Sequence, residues 1–243
     1  MPAVSSVFIF VFIFFTPVQI LAADCVILLH GLGRTSASLN RVAETLIDEG
    51  YLVANIHYPS RSNVIEELAA PAVEEGLSTC RDLGAQRINF LTHSMGGILV
   101  RYYLSQESIK ELHRVVMLAP PNQGSEIVDV YRNVPGYTLL NGPAGLQLGT
   151  DDDSILLQLG PADFELGIIA GNRTINFILS QFLKNPDDGK VSVMNTRLEG
   201  MCAFIEMPAT HAMMMRNKTV IAEAIRFFAT GRFEGEKAEN DLC

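Results

Sequence analysis

Six short apolar runs, separated by longer amphipathic stretches, limit this sequence to one broad class of fold. The runs are rich in β-branched and aromatic residues and have the length of strands, whereas the stretches between them show the spacing of helices. Alternation of this kind is typical of a mainly parallel sheet with helices on both faces. Strands are predicted at residues 25–30, 51–57, 87–92, 114–118, 164–170 and 201–206, and helices at residues 36–49, 63–83, 95–104 and 214–230.

Length and composition indicate a single domain after a separate N-terminal segment. Of the 243 residues, 48% are hydrophobic and 19% are charged, which excludes a disordered or fibrous protein. Since an α/β fold of up to about 250 residues commonly forms one domain, residues 24–243 are predicted to be one domain. Within it, residues 124–161 are rich in Gly, Pro, Asn and Asp and are predicted to be a cap or lid inserted above the sheet. The net charge of −9 argues against nucleic-acid binding, which needs Lys and Arg to neutralise phosphates.

The N-terminal segment has the features of a secretory signal. Residues 7–15 form an unbroken apolar run, Pro17 follows, and small residues stand at Ala22 and Ala23. The run is too short to span a bilayer as a helix, which needs about 20 residues. Residues 1–23 are therefore predicted to be a signal peptide, cleaved after Ala22 or Ala23, of a secreted or periplasmic protein. Because no Lys or Arg precedes the run, an uncleaved membrane anchor and a buried strand remain as alternatives.

Four cysteines stand at wide spacing along the chain: Cys25, Cys80, Cys202 and Cys243. They form no C-x-x-C pair and have no His at ligand spacing, so no zinc site is expected. Export permits disulfides, but four cysteines allow three complete pairings, and the sequence does not choose among them. An alternative for Cys25 is a buried free thiol at the start of the first predicted strand.

The sequence THSMGG at residues 92–97 lies between a predicted strand and a predicted helix. A sharp strand-to-helix turn would hold Ser94 in a strained conformation with its hydroxyl exposed, which is typical of a nucleophile. Gly96 is expected because a side chain there would collide with the neighbouring strand. Thr92 departs from the G-x-S-x-G pattern at its first position and needs room beside that strand. The alternative is a serine that merely caps the helix.

The glycine-rich turn HGLGR at residues 30–34 follows the first predicted strand. Attack on a carbonyl places negative charge on its oxygen, and fixed N–H donors stabilise that charge. The glycines on both sides of Leu32 would allow its N–H to point inward, and the N–H of Met95 would supply a second donor. Leu32 and Met95 are therefore the predicted oxyanion donors, although such turns after strands are common.

A nucleophilic serine needs a base, and the base needs a carboxylate that orients it. Among five histidines, His211 follows the last predicted strand and precedes the last helix, so it is predicted to be the base. His30 and His93 lie inside the two turns and are expected to fix those loops through hydrogen bonds. Asp188 is the predicted acid, because it lies in a turn after the fifth strand. Asp187 is its rival, and a solvated Asp-Gly turn is the alternative for both.

The order Ser, Asp, His resembles the α/β-hydrolase superfamily, specifically its lipase-like esterases. The resemblance covers roughly residues 25–233 and is carried by VILLHGLGR (26–34), FLTHSMGGILVR (90–101), VVMLAPPNQGSE (115–126), DDGKVSV (187–193) and ATHAMMM (209–215). It implies an α/β-hydrolase fold and maps the triad onto Ser94, Asp188 and His211, with oxyanion donors at Leu32 and Met95. It implies no cofactor and no metal.

The resemblance implies hydrolysis of carboxylic esters through an acyl-enzyme on Ser94. The expected substrate is a small-molecule or lipid ester, and such a substrate could bring the protein into contact with a membrane surface. Three alternatives stay open: transfer of the acyl group to an acceptor other than water, cleavage of thioesters or amides, and a catalytically silent binding protein on the same scaffold. The shortness of the insertion at 124–161 favours soluble short-chain esters over a lipase activated at an interface.

Overall fold

The structure is a computed structural model that describes residues 23–152 and 154–234. The predicted signal peptide, apart from Ala23, and Cys243 lie outside these ranges. Within them, no helix combines the length and the apolar character that crossing a bilayer requires.

A single sheet of six parallel strands forms the centre of the molecule, in the order β2-β1-β3-β4-β5-β6. All six predicted strands are confirmed, within three residues at each end. Most of their side chains are buried, because helices cover both faces of the sheet. The strands are β1 (Asp24–Leu29), β2 (Leu52–Ile56), β3 (Arg87–His93), β4 (Leu112–Leu118), β5 (Leu166–Gly171) and β6 (Ala203–Met207).

Two pairs of helices sandwich the sheet. On one face α2 (Ile65–Asp82) packs against β1, β2 and α3 (Met95–Gln106), and their apolar sides share one core with the sheet. On the other face α1 (Asn40–Asp48) and α9 (Lys218–Thr230) form a second core with the alternate residues of the strands. The period-2 alternation of strand side chains divides the apolar residues between the two cores.

The segment between β4 and β5 contains three short helices that the sequence did not predict: α4 (Glu126–Tyr131), α5 (Tyr137–Leu146) and α6 (Ile155–Gln158). Two more one-turn helices follow β5, α7 (Phe177–Ser180) and α8 (Val193–Thr196). Arg101 of α3 holds the first of these segments in place. Its buried guanidinium donates to the carbonyls of Asn122, Leu156 and Gly160 at 3.0–3.1 Å.

A disulfide joins Cys25, in β1, to Cys80, near the end of α2. The alternative that Cys25 is a free thiol is therefore wrong. Cys202 is disulfide-bonded as well. The Cys25–Cys80 bond joins residues 55 positions apart and fixes α2 to β1, the strand next to the edge of the sheet.

Candidate active site

The predicted site residues come together at the carboxyl-terminal edge of the sheet. Leu32 follows β1, Ser94 follows β3, Asp188 lies in the connection after β5, and His211 follows β6. In a parallel sheet all these connections leave the same edge, which is where open α/β sheets bind ligands. Residues separated by up to 179 positions therefore share one site.

Ser94 lies at the sharp turn between β3 and α3. Its backbone has φ 53° and ψ −124°, a region that residues other than glycine rarely occupy. Gly96 is required at this turn, because a Cβ there would lie 2.4 Å from the carbonyl oxygen of Leu29 in β1. The N–H of Ser94 donates to the carbonyl of Leu118 at 2.9 Å, which ties the turn to β4. The turn thus has the strained geometry that the sequence predicted.

His211 and Asp188 form a hydrogen-bonded pair. The Nδ1 of His211 lies 2.7 Å from Oδ2 of Asp188, whose carboxylate is almost completely buried. Oδ1 of Asp188 accepts from the N–H groups of Lys190 and Val191 at 2.9 and 2.8 Å. The N–H of His211 donates to the carbonyl of Asp188 at 2.9 Å. The aspartate therefore holds both the ring and the backbone of the histidine.

Asp187, the rival for the acid, has a different set of partners. Its Oδ2 accepts from the hydroxyl of Ser180 at 2.5 Å, and its Oδ1 accepts from the N–H of Gly189 at 2.7 Å. Both bonds are buried and join residues close in sequence. They fix the loop that leads from α7 to the turn containing Asp188. Of the two neighbouring carboxylates, the structure places Asp188 on His211 and uses Asp187 to shape the loop.

His93 forms a hydrogen bond with the backbone of His211. Its Nε2 lies 2.9 Å from the carbonyl oxygen of His211, so this nitrogen carries the proton and donates. The two rings are 4.7 Å apart at a tilt of 52°. Burial, and next the neighbouring His211, hold the pKa of His93 well below its ordinary value of 6.5. A neutral His93 therefore links the turn that contains Ser94 to the loop that contains His211.

The loop with the first predicted oxyanion donor, Leu32, is fixed on both sides. His30 donates from Nδ1 to the carbonyl of Gly31 at 2.9 Å and accepts from the N–H of Tyr58 at 3.4 Å, while the Tyr58 hydroxyl donates to the His30 carbonyl. Gly33 donates its N–H to Ser60 Oγ at 3.0 Å. Between these anchors, the N–H of Leu32 has no acceptor within the described residues.

The second predicted donor, the N–H of Met95, belongs to the first residue of α3 and also lacks an acceptor in the described part of the chain. The side chain of Met95 is fully buried in the core. The amide directly after the strained serine is therefore left free at the positive end of a helix.

A cavity of about 260 Å³ opens above these residues. Leu32, Ser94 and His211 line it, while Met95 does not. The Ser94 hydroxyl has no hydrogen-bond partner within the described residues, so its O–H group is not donated to another side chain there. The remaining wall comes largely from the segment between β4 and β5, through Ser125, Ile127, Val128, Tyr137, Asn141 and Leu148.

Solved structures with a similar fold provide the comparison. The mature lipase BlEst2 of Bacillus licheniformis has a TM-score of 0.68 at 20% identity, over 85% of this chain and 92% of that one. The esterase EaEST of Exiguobacterium antarcticum has a TM-score of 0.58 at 14% identity, over 86% of this chain and 93% of that one. The phospholipase PlaB of Legionella pneumophila has a TM-score of 0.57 at 20% identity, over 72% of this chain and 46% of that one.

This chain has the α/β-hydrolase fold. Its six-stranded parallel sheet is covered by helices on both faces, and it superposes over most of its length on structures of a lipase and an esterase. No family model matches the sequence. No curated protein matches it either.

Two cations at the entrance of the site were not assigned a role from the sequence. Arg34 and Lys190 both line the cavity that contains Ser94. They stand in the segments HGLGR (30–34) and DDGKVSV (187–193), which also contain predicted site residues, and this proximity in sequence was the available signal. Tyr137 and Asn141 carried no such signal, because they come from a helix that was not predicted. Among the described residues, no group of three His, Cys, Asp or Glu side chains could hold a metal ion.

Proposed function

We propose that this protein is a serine hydrolase that cleaves carboxylic esters through an acyl-enzyme on Ser94. The observation that carries the proposal is the hydrogen bond of 2.7 Å between His211 and Asp188, beside a cavity that Ser94 also lines. A serine in a strained turn, a histidine with a buried carboxylate behind it and free backbone amides nearby are the components of acyl transfer to serine.

The hydrogen-bonding pattern defines the role of His211. A carboxylate can only accept, so Nδ1 of His211 carries the proton and Nε2 is left with a lone pair. Nε2 takes the proton of Ser94 Oγ as the oxygen attacks the ester carbonyl, and then delivers it to the leaving alcohol. Proton transfer requires Ser94 and His211 to come within hydrogen-bonding distance once substrate fills the cavity. Asp188 stabilises the imidazolium that forms.

Hydrolysis of the acyl-enzyme uses the same groups in reverse. His211 removes a proton from water, the hydroxide attacks the acyl carbon, and Ser94 leaves with the proton returned by His211. In both steps the carbonyl oxygen becomes negative, and we assign its stabilisation to the N–H groups of Leu32 and Met95. Each donor in such a site lowers the activation barrier by about 3 kcal/mol.

Esters are the proposed substrates because the structural neighbours described above are named as a lipase, an esterase and a phospholipase. Their low identity transfers the fold alone, so the bond that is cleaved is part of the proposal. The preference for short acyl chains, which rests on the short insertion at 124–161, stays a prediction. A series of p-nitrophenyl esters of increasing chain length measures it.

The decisive experiment is the substitution Ser94→Ala. We expect turnover of p-nitrophenyl butyrate to fall by at least about a thousandfold and labelling by a fluorophosphonate to disappear. Ser105→Ala is the matched control, because Ser105 is an exposed serine near the end of the same helix. Wild-type turnover by a folded Ser94→Ala protein would show that the triad assignment is wrong.

We further propose that the protein acts outside the reducing cytoplasm. The disulfide between Cys25 and Cys80 supports this location, because such bonds persist in oxidising compartments. Mass spectrometry of the protein recovered from its producing cells gives the N-terminal residue. A start at residue 23 or 24 supports export with cleavage, and an intact N-terminus contradicts the cleavage.

A further inference from the structure

Three large apolar side chains project into solvent directly after β5. Ile175, Phe177 and Ile178 are 78%, 74% and 70% exposed, and we refer to them as the apolar crest. Single exposed apolar residues are common on protein surfaces, whereas a group of large ones usually marks a contact with a partner or a membrane. The crest contributes to neither apolar core, so its exposure indicates a contact with another molecule.

Polar contacts at its base hold the crest outward. Asn176, between two crest residues, caps α7 by accepting from the N–H of Leu179 at 3.1 Å. Ser180 at the end of α7 is buried and donates to the buried carboxylate of Asp187. The inner side of α7 is thus fixed to the turn that contains the catalytic Asp188, and the apolar side chains remain on the outside.

The exposed charged side chains of residues 173–190, the segment that contains the crest, are all cations, although the chain as a whole has a net charge of −9. Arg173, Lys184 and Lys190 are exposed, and none of them has a carboxylate partner within the described residues. The two carboxylates of the same segment, Asp187 and Asp188, are buried and occupied by hydrogen bonds. The outer face of residues 173–190 therefore combines apolar side chains with three free cations.

The crest borders the entrance of the catalytic site. A cavity of about 540 Å³ is lined by all three crest residues and also by His211, Arg34 and Lys190. Arg34 and Lys190 also line the cavity that contains Ser94. Whatever covers the crest thus lies next to the base of the proposed triad.

We infer that the apolar crest, with Arg173, Lys184 and Lys190, docks this protein onto an anionic lipid surface. Apolar side chains flanked by cations are the features that bind an interface with negatively charged headgroups. A second copy of the chain is a poorer occupant, since a symmetric contact would bring the same unpaired cations face to face. The crest lies outside residues 124–161, so a short insertion does not exclude contact with an interface.

Sedimentation with vesicles tests the docking surface without any turnover, so the result is independent of the proposed function. Protein with the same N-terminus in every variant, checked by mass, is mixed with vesicles of phosphatidylcholine alone or with phosphatidylglycerol added. We expect binding to the anionic vesicles to exceed binding to the neutral ones and to fall in 0.5 M salt, because salt screens surface charge.

Two sets of substitutions separate the apolar contribution from the charged one. The triple variant Ile175→Ser, Phe177→Ser and Ile178→Ser should bind anionic vesicles at least tenfold more weakly. The double variant Arg173→Gln and Lys184→Gln should bind about 25-fold more weakly, since each cation near such a surface contributes about 1 kcal/mol, or a factor of about five. Ile47→Ser is the matched control, because Ile47 is 59% exposed and lies on α1; it should bind as the wild type does.

Three outcomes would overturn the inference. The first is no binding of the wild type to anionic vesicles. The second is undiminished binding by the folded triple variant, which would place the contact elsewhere. The third is a concentration-dependent dimer that the triple variant abolishes while vesicle binding is absent, which would make a second copy the occupant.

Discussion

Asp187 and Asp188 show how two adjacent, chemically identical side chains acquire different roles. Both are buried, and both accept hydrogen bonds from backbone N–H groups of the same turn. Only Asp188 reaches the imidazole of His211. The other carboxylate points toward Ser180 and fixes the path of the chain.

This division of roles predicts different defects for the two amide substitutions. Asp188→Asn should lower kcat by about three orders of magnitude or more, because an amide N–H facing Nδ1 favours the wrong tautomer of His211. Asp187→Asn should lower stability by about 1–3 kcal/mol and leave most of the turnover. Steady-state kinetics with thermal unfolding of both variants checks this, and equal losses of kcat would contradict it.

From the sequence alone, the carboxylate of the site could be narrowed to Asp188 and its rival Asp187. Ser94 was recognisable because its turn requires a specific strand, serine and glycine pattern, and that pattern is local. The choice between Asp187 and Asp188 depends on which way a turn faces a loop more than 20 residues later. A local pattern does not contain that information. The role of His93 was predicted only in general terms, as a histidine that fixes a loop.

At the scale of elements, the long ones were predictable and the short ones were not. The strands and the four main helices contain enough residues to show their periodicity. The helices between β4 and β5 are of 4 to 10 residues, and α5 contains Gly142 and Pro143 at a kink, so no helical period develops. Their positions are set instead by tertiary contacts, above all those of Arg101.

Arg101 provides the prediction at this scale. Its guanidinium is buried, and burial lowers its pKa to about 10. It donates to the carbonyl of Asn122, just before the insertion, and to those of Leu156 and Gly160 near the end of the insertion. Arg101→Met should lower the free energy of unfolding by about 3 kcal/mol, because several buried carbonyls lose their donor. Urea unfolding measures the change. Arg41→Met, at an exposed position of α1, is the control and should stay within about 0.5 kcal/mol of the wild type.

For the whole molecule, two buried histidines couple stability to pH. Burial is the main cause that lowers the pKa of both His30 and His93 below 6.5, so both are neutral in the folded protein. The unfolded chain binds these protons as the pH falls below about 6.5, whereas the folded chain does not until the pH reaches the lowered values. Between those limits acid favours unfolding, by up to about 1.4 kcal/mol per pH unit for each histidine.

The measurement is the free energy of unfolding in urea at several pH values from 7.5 to 5. We expect it to decrease steadily below pH 6.5 in the wild type. His93→Gln removes one of the two groups, so its curve should be flatter by up to about 1.4 kcal/mol per pH unit, whatever its absolute stability. Parallel curves for the two proteins would show that His93 does not carry this coupling.

The bond between Cys25 and Cys80 has a consequence for the order in which the chain matures. When the chain enters an oxidising compartment with its N-terminal part first, these two thiols arrive before Cys202 and Cys243. For that interval each has a single possible partner, and it is the native one. A bond that forms in this interval is therefore native and needs no isomerase to correct it.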